Sequence, residues 1–101
     1  MGSRLDRVTN WEHRARVYGY RVYDVADSCG VQTRTLERYF FGHFGMSVRE
    51  WMTRLRQADA AASLRDLKLV KEVATLLRYK RASSLWRSYK KFYHVPPSKS
   101  P

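Results

Sequence analysis

Asp24-Val25-Ala26, Leu36-Glu37-Arg38-Tyr39-Phe40 and Phe44-Gly45-Met46 each have a second copy in the chain: Glu72-Val73-Ala74, Leu85-Trp86-Arg87-Ser88-Tyr89 and Tyr93-His94-Val95. The offset is 48 positions for the first block and 49 for the others. Each copy is ordered as a helix-turn-helix: a small residue on one helix, a tight turn, and an aliphatic lock on the next. Ala26 is followed four residues later by Gly30 and ten later by Leu36. Ala26 lets two helices cross closely, Gly30 supplies a positive φ without a Cβ penalty, and Leu36 locks the second helix onto the first. In the second copy Ala74 reaches Leu85 in eleven residues, so its turn is one residue longer, and Arg78 stands at the glycine position. Ala, Gly and Leu are common residues, so the argument rests on the arrangement occurring twice.

The surrounding pattern predicts an all-α fold: two helix-turn-helix subdomains joined by a long central helix. Leu5, Val8, Trp11, Ala15 and Tyr18 recur at three- and four-residue steps and predict a first helix ended by Gly19. A second is expected from Val22 to Cys29, stopping at Gly30, with Cys29 packed at its end. The third spans about Thr33 to Gly42, with Leu36, Tyr39 and Phe40 inward. Ser47-Val48-Arg49-Glu50 is a capping box for the fourth: Ser47 accepts from the Glu50 amide while Glu50 reaches back to Ser47. Met46 and Trp51 have the spacing of the accompanying staple. This helix continues through Leu55 and Ala58 to about Leu64, with Trp51, Leu55 and Leu64 expected in the core beside Leu36 or Leu85. A fifth covers Leu69 to Leu77. A sixth covers Ser83 to Tyr93 and ends before Pro96-Pro97, with a frayed Ser98–Pro101 tail. The corresponding domains are 1–46, a connecting helix 47–65, and 66–101.

The 101 residues carry a formal net charge of +11, with a pI near 10.3. Residues 1–66 hold eleven Arg against eight acids, whereas 67–101 hold nine Lys and Arg against Glu72 alone. A basic excess of this size is the footprint of a polyanion partner, with a solubilising surface as the alternative. The single cysteine, Cys29, excludes an internal disulfide and a Cys-based metal site. His13, His43 and His94 do not cluster at ligand spacing, so no cofactor or metal is expected. No paired carboxylates, nucleophile–base pair or phosphate loop point to an enzyme. No apolar run reaches membrane-spanning length and no signal peptide is visible, so a cytoplasmic setting and no membrane partner are expected. Met1-Gly2-Ser3 reads as an appended start, and both a complete regulator and a piece of a larger one with a sensing domain stay open.

From about Arg4 to Lys99 the chain resembles the DNA-binding domain of the AraC/XylS family of bacterial transcription regulators. The matching text is Asp24-Val25-Ala26-Asp27-Ser28-Cys29-Gly30-Val31, Thr35-Leu36-Glu37-Arg38-Tyr39-Phe40 and Phe44-Gly45-Met46-Ser47. It continues with Trp51-Met52-Thr53-Arg54-Leu55-Arg56, Ala60, Val73-Ala74, Arg87, Phe92 and Val95-Pro96-Pro97. The end of the chain is most similar to the small single-domain members typified by MarA. The resemblance implies seven helices or fewer, two helix-turn-helix units on a joining helix, and major-groove reading by the third and sixth helices. The expected partner is double-stranded DNA at the bacterial nucleoid, bound by a monomer, with RNA polymerase a further candidate partner. The chain departs from the family where Arg78 and His94 replace a usual Gly and where Ser100 replaces a usual aromatic. It departs again at Gln32, where a Ser commonly caps, and by one residue near Asp66.

Exposed positions on the two second helices are the candidate base readers. On the third helix these are Gln32, Thr33, Arg34, Glu37 and Arg38, opposite Leu36 and Phe40. Arg can chelate guanine O6 and N7, and Glu can accept from cytosine N4. For Arg38 the alternative is a solvated or intrahelically paired arginine. On the sixth helix Ala82, Ser83, Ser84, Trp86 and Arg87 hold the equivalent face, Arg87 being the repeat partner of Arg38. Trp86 reads either as a thymine-methyl contact or as half-buried packing. Lys80, Arg81, Lys90 and Lys91 are candidate phosphate contacts, or simple solubilising charges. The central helix, some seventeen residues, spans roughly 25 Å. The two reading helices are therefore expected about one turn of DNA apart, near 34 Å, in adjacent major grooves. The first unit is expected to supply most discrimination and the more basic second unit mostly phosphate anchorage. Two rivals share this composition. A sequence-tolerant nucleic-acid-binding protein would bind random and selected duplexes alike. A protein-interaction module contacting RNA polymerase would not bind DNA at micromolar concentration.

Overall fold

A computed structural model describes residues 4–66, 69–95 and 97. It has a 3₁₀ turn at Arg4–Arg7 and helices α1 (Trp11–Val17), α2 (Val22–Ser28), α3 (Thr33–Phe44), α4 (Val48–Arg65), α5 (Val70–Leu76) and α6 (Ala82–Tyr93). No strand occurs among the described residues, and the fold is all-α as expected. The chain divides into two units, Met1–Leu55 and Arg56–Pro101. Pro96 and the expected frayed tail at 98–101 lie outside the described residues.

In the first unit the single opening helix expected from Leu5 to Tyr18 is interrupted. Val8-Thr9-Asn10 separates the 3₁₀ turn from α1. Val8 and Thr9 are β-branched and lose χ1 freedom in a helix, and Asn10 sits at the position before α1. The inward face survives the break: Leu5, Trp11 and Ala15 are buried and Val8 packs against them, whereas Tyr18 is exposed. α1 closes with paired bonds from Tyr20 N to Ala15 O and Gly19 N to Arg16 O, with Gly19 at φ 66°. Val25, Ala26, Leu36 and Phe40 complete the core, with Cys29 partly buried against it. Phe40 meets Trp11 edge-on at 4.9 Å between centroids and Trp51 at 5.2 Å. Burying a side chain the size of Leu36 or Phe40 stabilises by about 1.5–3 kcal/mol.

α4 starts with half of the expected capping box. Ser47 Oγ accepts from the Glu50 amide at 3.1 Å, but the Glu50 carboxylate turns to Arg54 at 3.1 Å instead of reaching back. The expected core positions of α4 are shifted. Val48 and Met52 are the buried residues in the first unit, with Trp51 and Leu55 half-buried against the core. In the second unit Gln57 and Ala60 are buried, Leu64 is half-buried and Ala58 is exposed. Rows 48/52 and 51/55 are neighbours on one helix face, so the face is as expected and its centre lies one row over.

The second unit packs α5 on α6. Val73, Ala74, Leu77, Leu85 and Tyr89 are buried, the counterparts of Val25, Ala26, Cys29, Leu36 and Phe40. At the end of α6, burial raises the Tyr93 hydroxyl pKa, the nearby Tyr89 adds to this, and Arg65 opposes it.

Candidate nucleic-acid interface

The repeat is visible bond by bond. α2 and α5 are each seven residues long, and α3 and α6 each twelve. After α2, Val31 N bonds Ala26 O at 3.1 Å and Gly30 N bonds Asp27 O at 3.0 Å. After α5, Tyr79 N bonds Ala74 O at 2.9 Å and Arg78 N bonds Thr75 O at 3.2 Å. This pair of bonds is a Schellman close, and it needs a left-handed residue. Gly30 supplies it at φ 69° and Arg78 at φ 66°. At the far end of α3 and α6, Gly45 N bonds Phe41 O and His94 N bonds Lys90 O, at φ 69° and 64°. Both departures from glycine therefore keep the glycine conformation. The extra residue of the second turn falls between Tyr79 and Arg81, as the spacing predicts.

α3 buries Leu36 and Phe40 and leaves Gln32, Arg34 and Arg38 exposed, with Thr33 and Glu37 half-buried. α6 buries Leu85 and Tyr89 and leaves Arg81, Ser83, Trp86, Arg87, Lys90 and Lys91 exposed, with Lys80 exposed before it. Ala82 and Ser84 are half-buried. Arg38 and Arg87 thus occupy equivalent exposed positions, each on its own helix. Trp86 is 39% exposed, with Lys90 Nζ 4.9 Å from the ring centroid. An open notch of about 360 Å³ at the start of α3 is lined by Tyr23, Asp27, Gln32, Thr33 and Arg34.

Two supports hold α3. The Glu37 carboxylate accepts from the Val48 amide at 3.4 Å, at the start of α4. One oxygen of the half-buried Glu37 is therefore engaged within the protein. At the other end His43 stacks on Tyr39 at 4.0 Å and lies 3.3 Å from Asp6 in the 3₁₀ turn. Burial raises the Tyr39 hydroxyl pKa, and a hydrogen bond to Asp6 and the Asp6 charge raise it further.

The second unit has supports that sequence reasoning missed. Gln57 is 1% exposed and donates to Tyr79 Oη at 3.1 Å and Ser88 Oγ at 2.5 Å, and these two hydroxyls lie 3.2 Å apart. Its Oε1 is buried without a hydrogen-bond partner among the described residues. Arg56, beside it on α4, donates to the Leu77 and Arg78 carbonyls. The only sequence signal for Gln57 is a polar residue on the helix that joins the two units.

A family model described as a helix-turn-helix domain matches residues 25–100. The chain belongs to the AraC-type helix-turn-helix family. No curated protein and no solved structure matches it. This AraC-type domain is a DNA-binding domain of transcription regulation, in a family of non-enzymatic regulators. Among its described residues no helix is long and apolar enough to cross a membrane, and no group of His, Cys, Asp or Glu could hold a metal ion.

Proposed function

We propose that this AraC-type domain reads double-stranded DNA sequence-specifically as a monomer, with α3 and α6 in two successive major grooves. The observation that carries the proposal is the duplicated reading helix, equal in length, with the same buried pair and an exposed arginine at the same place. Arg34, Arg38 and Arg87 take base-edge roles, supported by Gln32, Thr33, Ser83 and Ser84 near the helix starts. Trp86 offers its exposed ring to thymine methyls. Lys80, Arg81, Lys90 and Lys91 contact phosphates, and their concentration makes the second unit the main anchor. Glu37, held by the Val48 amide, orients α3 instead of reading a base. Within the family we place the chain nearest the small MarA-type members, on Val95-Pro96-Pro97.

The test is selection of bound duplexes from a random pool, followed by footprinting. Two half-sites about 10 base pairs apart, centre to centre, are expected. Arg38→Ala then costs about 1–3 kcal/mol on the selected site and flattens preference at one or two base pairs. Equal affinity for selected and random duplexes would make the protein a sequence-tolerant binder. No binding at micromolar concentration and modest salt would instead favour a protein-interaction module, with RNA polymerase as the first partner to try.

A further inference from the structure

The second unit closes α5 with Arg78 where the first closes α2 with Gly30, and the two turns have the same shape. A side chain in the left-handed region is disfavoured by contact of its Cβ with the backbone. The second unit must therefore hold by other means what glycine permits in the first. The Arg56 guanidinium is placed to do so. Its Nε donates to the Leu77 carbonyl at 3.1 Å and its Nη2 to the Arg78 carbonyl at 3.1 Å. These carbonyls belong to the two peptide planes that flank the Arg78 Cα. Rotation of the first plane is the φ of Arg78 and rotation of the second is its ψ, so one rigid planar fork restrains both angles. The same guanidinium lies over the Tyr79 ring, 3.8 Å from its centroid. The Tyr79 hydroxyl in turn meets Gln57 and Ser88, and Ser88 is next to Arg87 on α6.

We propose that Arg56 is a positioning residue for the second reading helix. It stands in for the turn glycine by clamping both peptide planes of Arg78, and through Tyr79 and Ser88 it sets where α6 presents Arg87. The clamp is a property of the free protein, while its consequence for DNA rests on the proposed reading role of α6.

The test uses the full 101-residue chain with Arg56→Met and Arg56→Lys, each alone and combined with Arg78→Gly or Arg78→Ala. The first readout is hydrogen exchange of the Tyr79 amide in the free protein. Arg56→Met is expected to speed it by roughly 5- to 30-fold, the equilibrium factor that corresponds to left-handed strain. Arg56→Lys is expected to act similarly, because a compact ammonium cannot bridge two carbonyls as a fork does. In the Arg78→Gly background both changes become nearly silent, since glycine holds the turn unaided. Arg78→Ala removes the same charge but keeps a Cβ, so it gives no rescue. The second readout is discrimination between a selected duplex and one scrambled under the second unit, which falls in Arg56→Met and returns with Arg78→Gly. Unchanged exchange, or equal rescue by Arg78→Gly and Arg78→Ala, overturns the clamp. A loosened turn with intact second-half discrimination overturns the link to α6. If the unmodified protein shows no second-half discrimination, the reading role of α6 fails, and the exchange result still decides the clamp. Should Arg56→Met not fold, the milder Arg56→Lys carries the same comparison.

Discussion

Two glycines three residues apart on α3 are expected to respond to alanine with opposite signs. Gly42 lies within the helix, and Gly45 closes it at φ 69°. A Cβ at either position meets nothing within 4 Å, so neither substitution creates a collision and both isolate the backbone contribution. At Gly42 alanine removes the entropic cost of helical glycine and is expected to stabilise by about 0.5–1 kcal/mol. At Gly45 the left-handed conformation costs an alanine about 1–2 kcal/mol, offset in part by the about 0.4–1 kcal/mol gained from a stiffer unfolded chain. The net expectation is a loss of about 1 kcal/mol. His94 supplies the reverse experiment at the same point of α6, at φ 64° with its amide on Lys90 O. His94→Gly is expected to be neutral to stabilising, by up to about 1 kcal/mol. For a domain of this size 1 kcal/mol shifts the melting temperature by about 4–8 °C. Urea titrations followed by circular dichroism, with calorimetry in parallel, resolve changes of this size. If the two alanine variants shift in the same direction, the fold does not impose left-handed geometry at the end of α3.

Three further outcomes are expected. Replacing Lys80, Lys90 and Lys91 together by Gln should weaken selected and random duplexes alike and make the salt slope shallower by about 0.9 for each phosphate no longer neutralised; weakening confined to the selected site would place these lysines among the base readers. Glu37→Ala leaves the Val48 amide without its side-chain acceptor and should destabilise by about 0.5–2 kcal/mol, with Glu37→Gln recovering part of this; unaltered urea midpoints in both would show that the carboxylate is not a cap. The raised Tyr39 pKa means the folded state binds that proton more tightly than the unfolded chain does. Its stabilisation is therefore fully present below about pH 10 and is lost as pH rises through the folded value. Asp6→Asn should lower the Tyr39 midpoint in a tyrosinate absorbance titration without bringing it fully to normal, because burial is the larger cause; an unmoved midpoint would remove Asp6 from the account.

What is legible in the sequence is what local chemistry dictates. The two turns, the longer second one, and the buried pairs Leu36/Phe40 and Leu85/Tyr89 follow from spacing alone, and the structure places them there. Helix bounds for α2 through α6 fall within a residue or two of expectation, since Gly30, Ser47 and the aromatic spacing are strong local signals. The break at Val8-Thr9-Asn10 is hidden because its apolar residues keep helical spacing across it. The most deeply buried row of α4 differs from the expected one because hydrophobicity ranks Trp51 and Leu55 above Val48, while packing leaves the larger side chains partly uncovered. The roles of Glu37, Arg56 and Gln57 are illegible for a different reason. Their partners lie 11 to 31 residues away, and no periodicity reports which distant carbonyl, amide or hydroxyl a polar side chain will meet.

The placement of Trp86 makes the protein its own spectroscopic instrument. Of the three tryptophans, Trp11 and Trp51 sit in or against the core of the first unit. Trp86 alone belongs to the second, on the exposed outer face of α6 with a lysine over its ring. A collisional quencher added to the free protein will therefore reach Trp86 more readily than the buried Trp11. If α6 meets a duplex as proposed, the Trp86 indole becomes shielded, whereas Trp11 stays buried in the core of the first unit. Engagement of the second unit can then be followed separately from overall affinity, without attaching a dye, and the order in which the two units reach DNA becomes a measurable quantity.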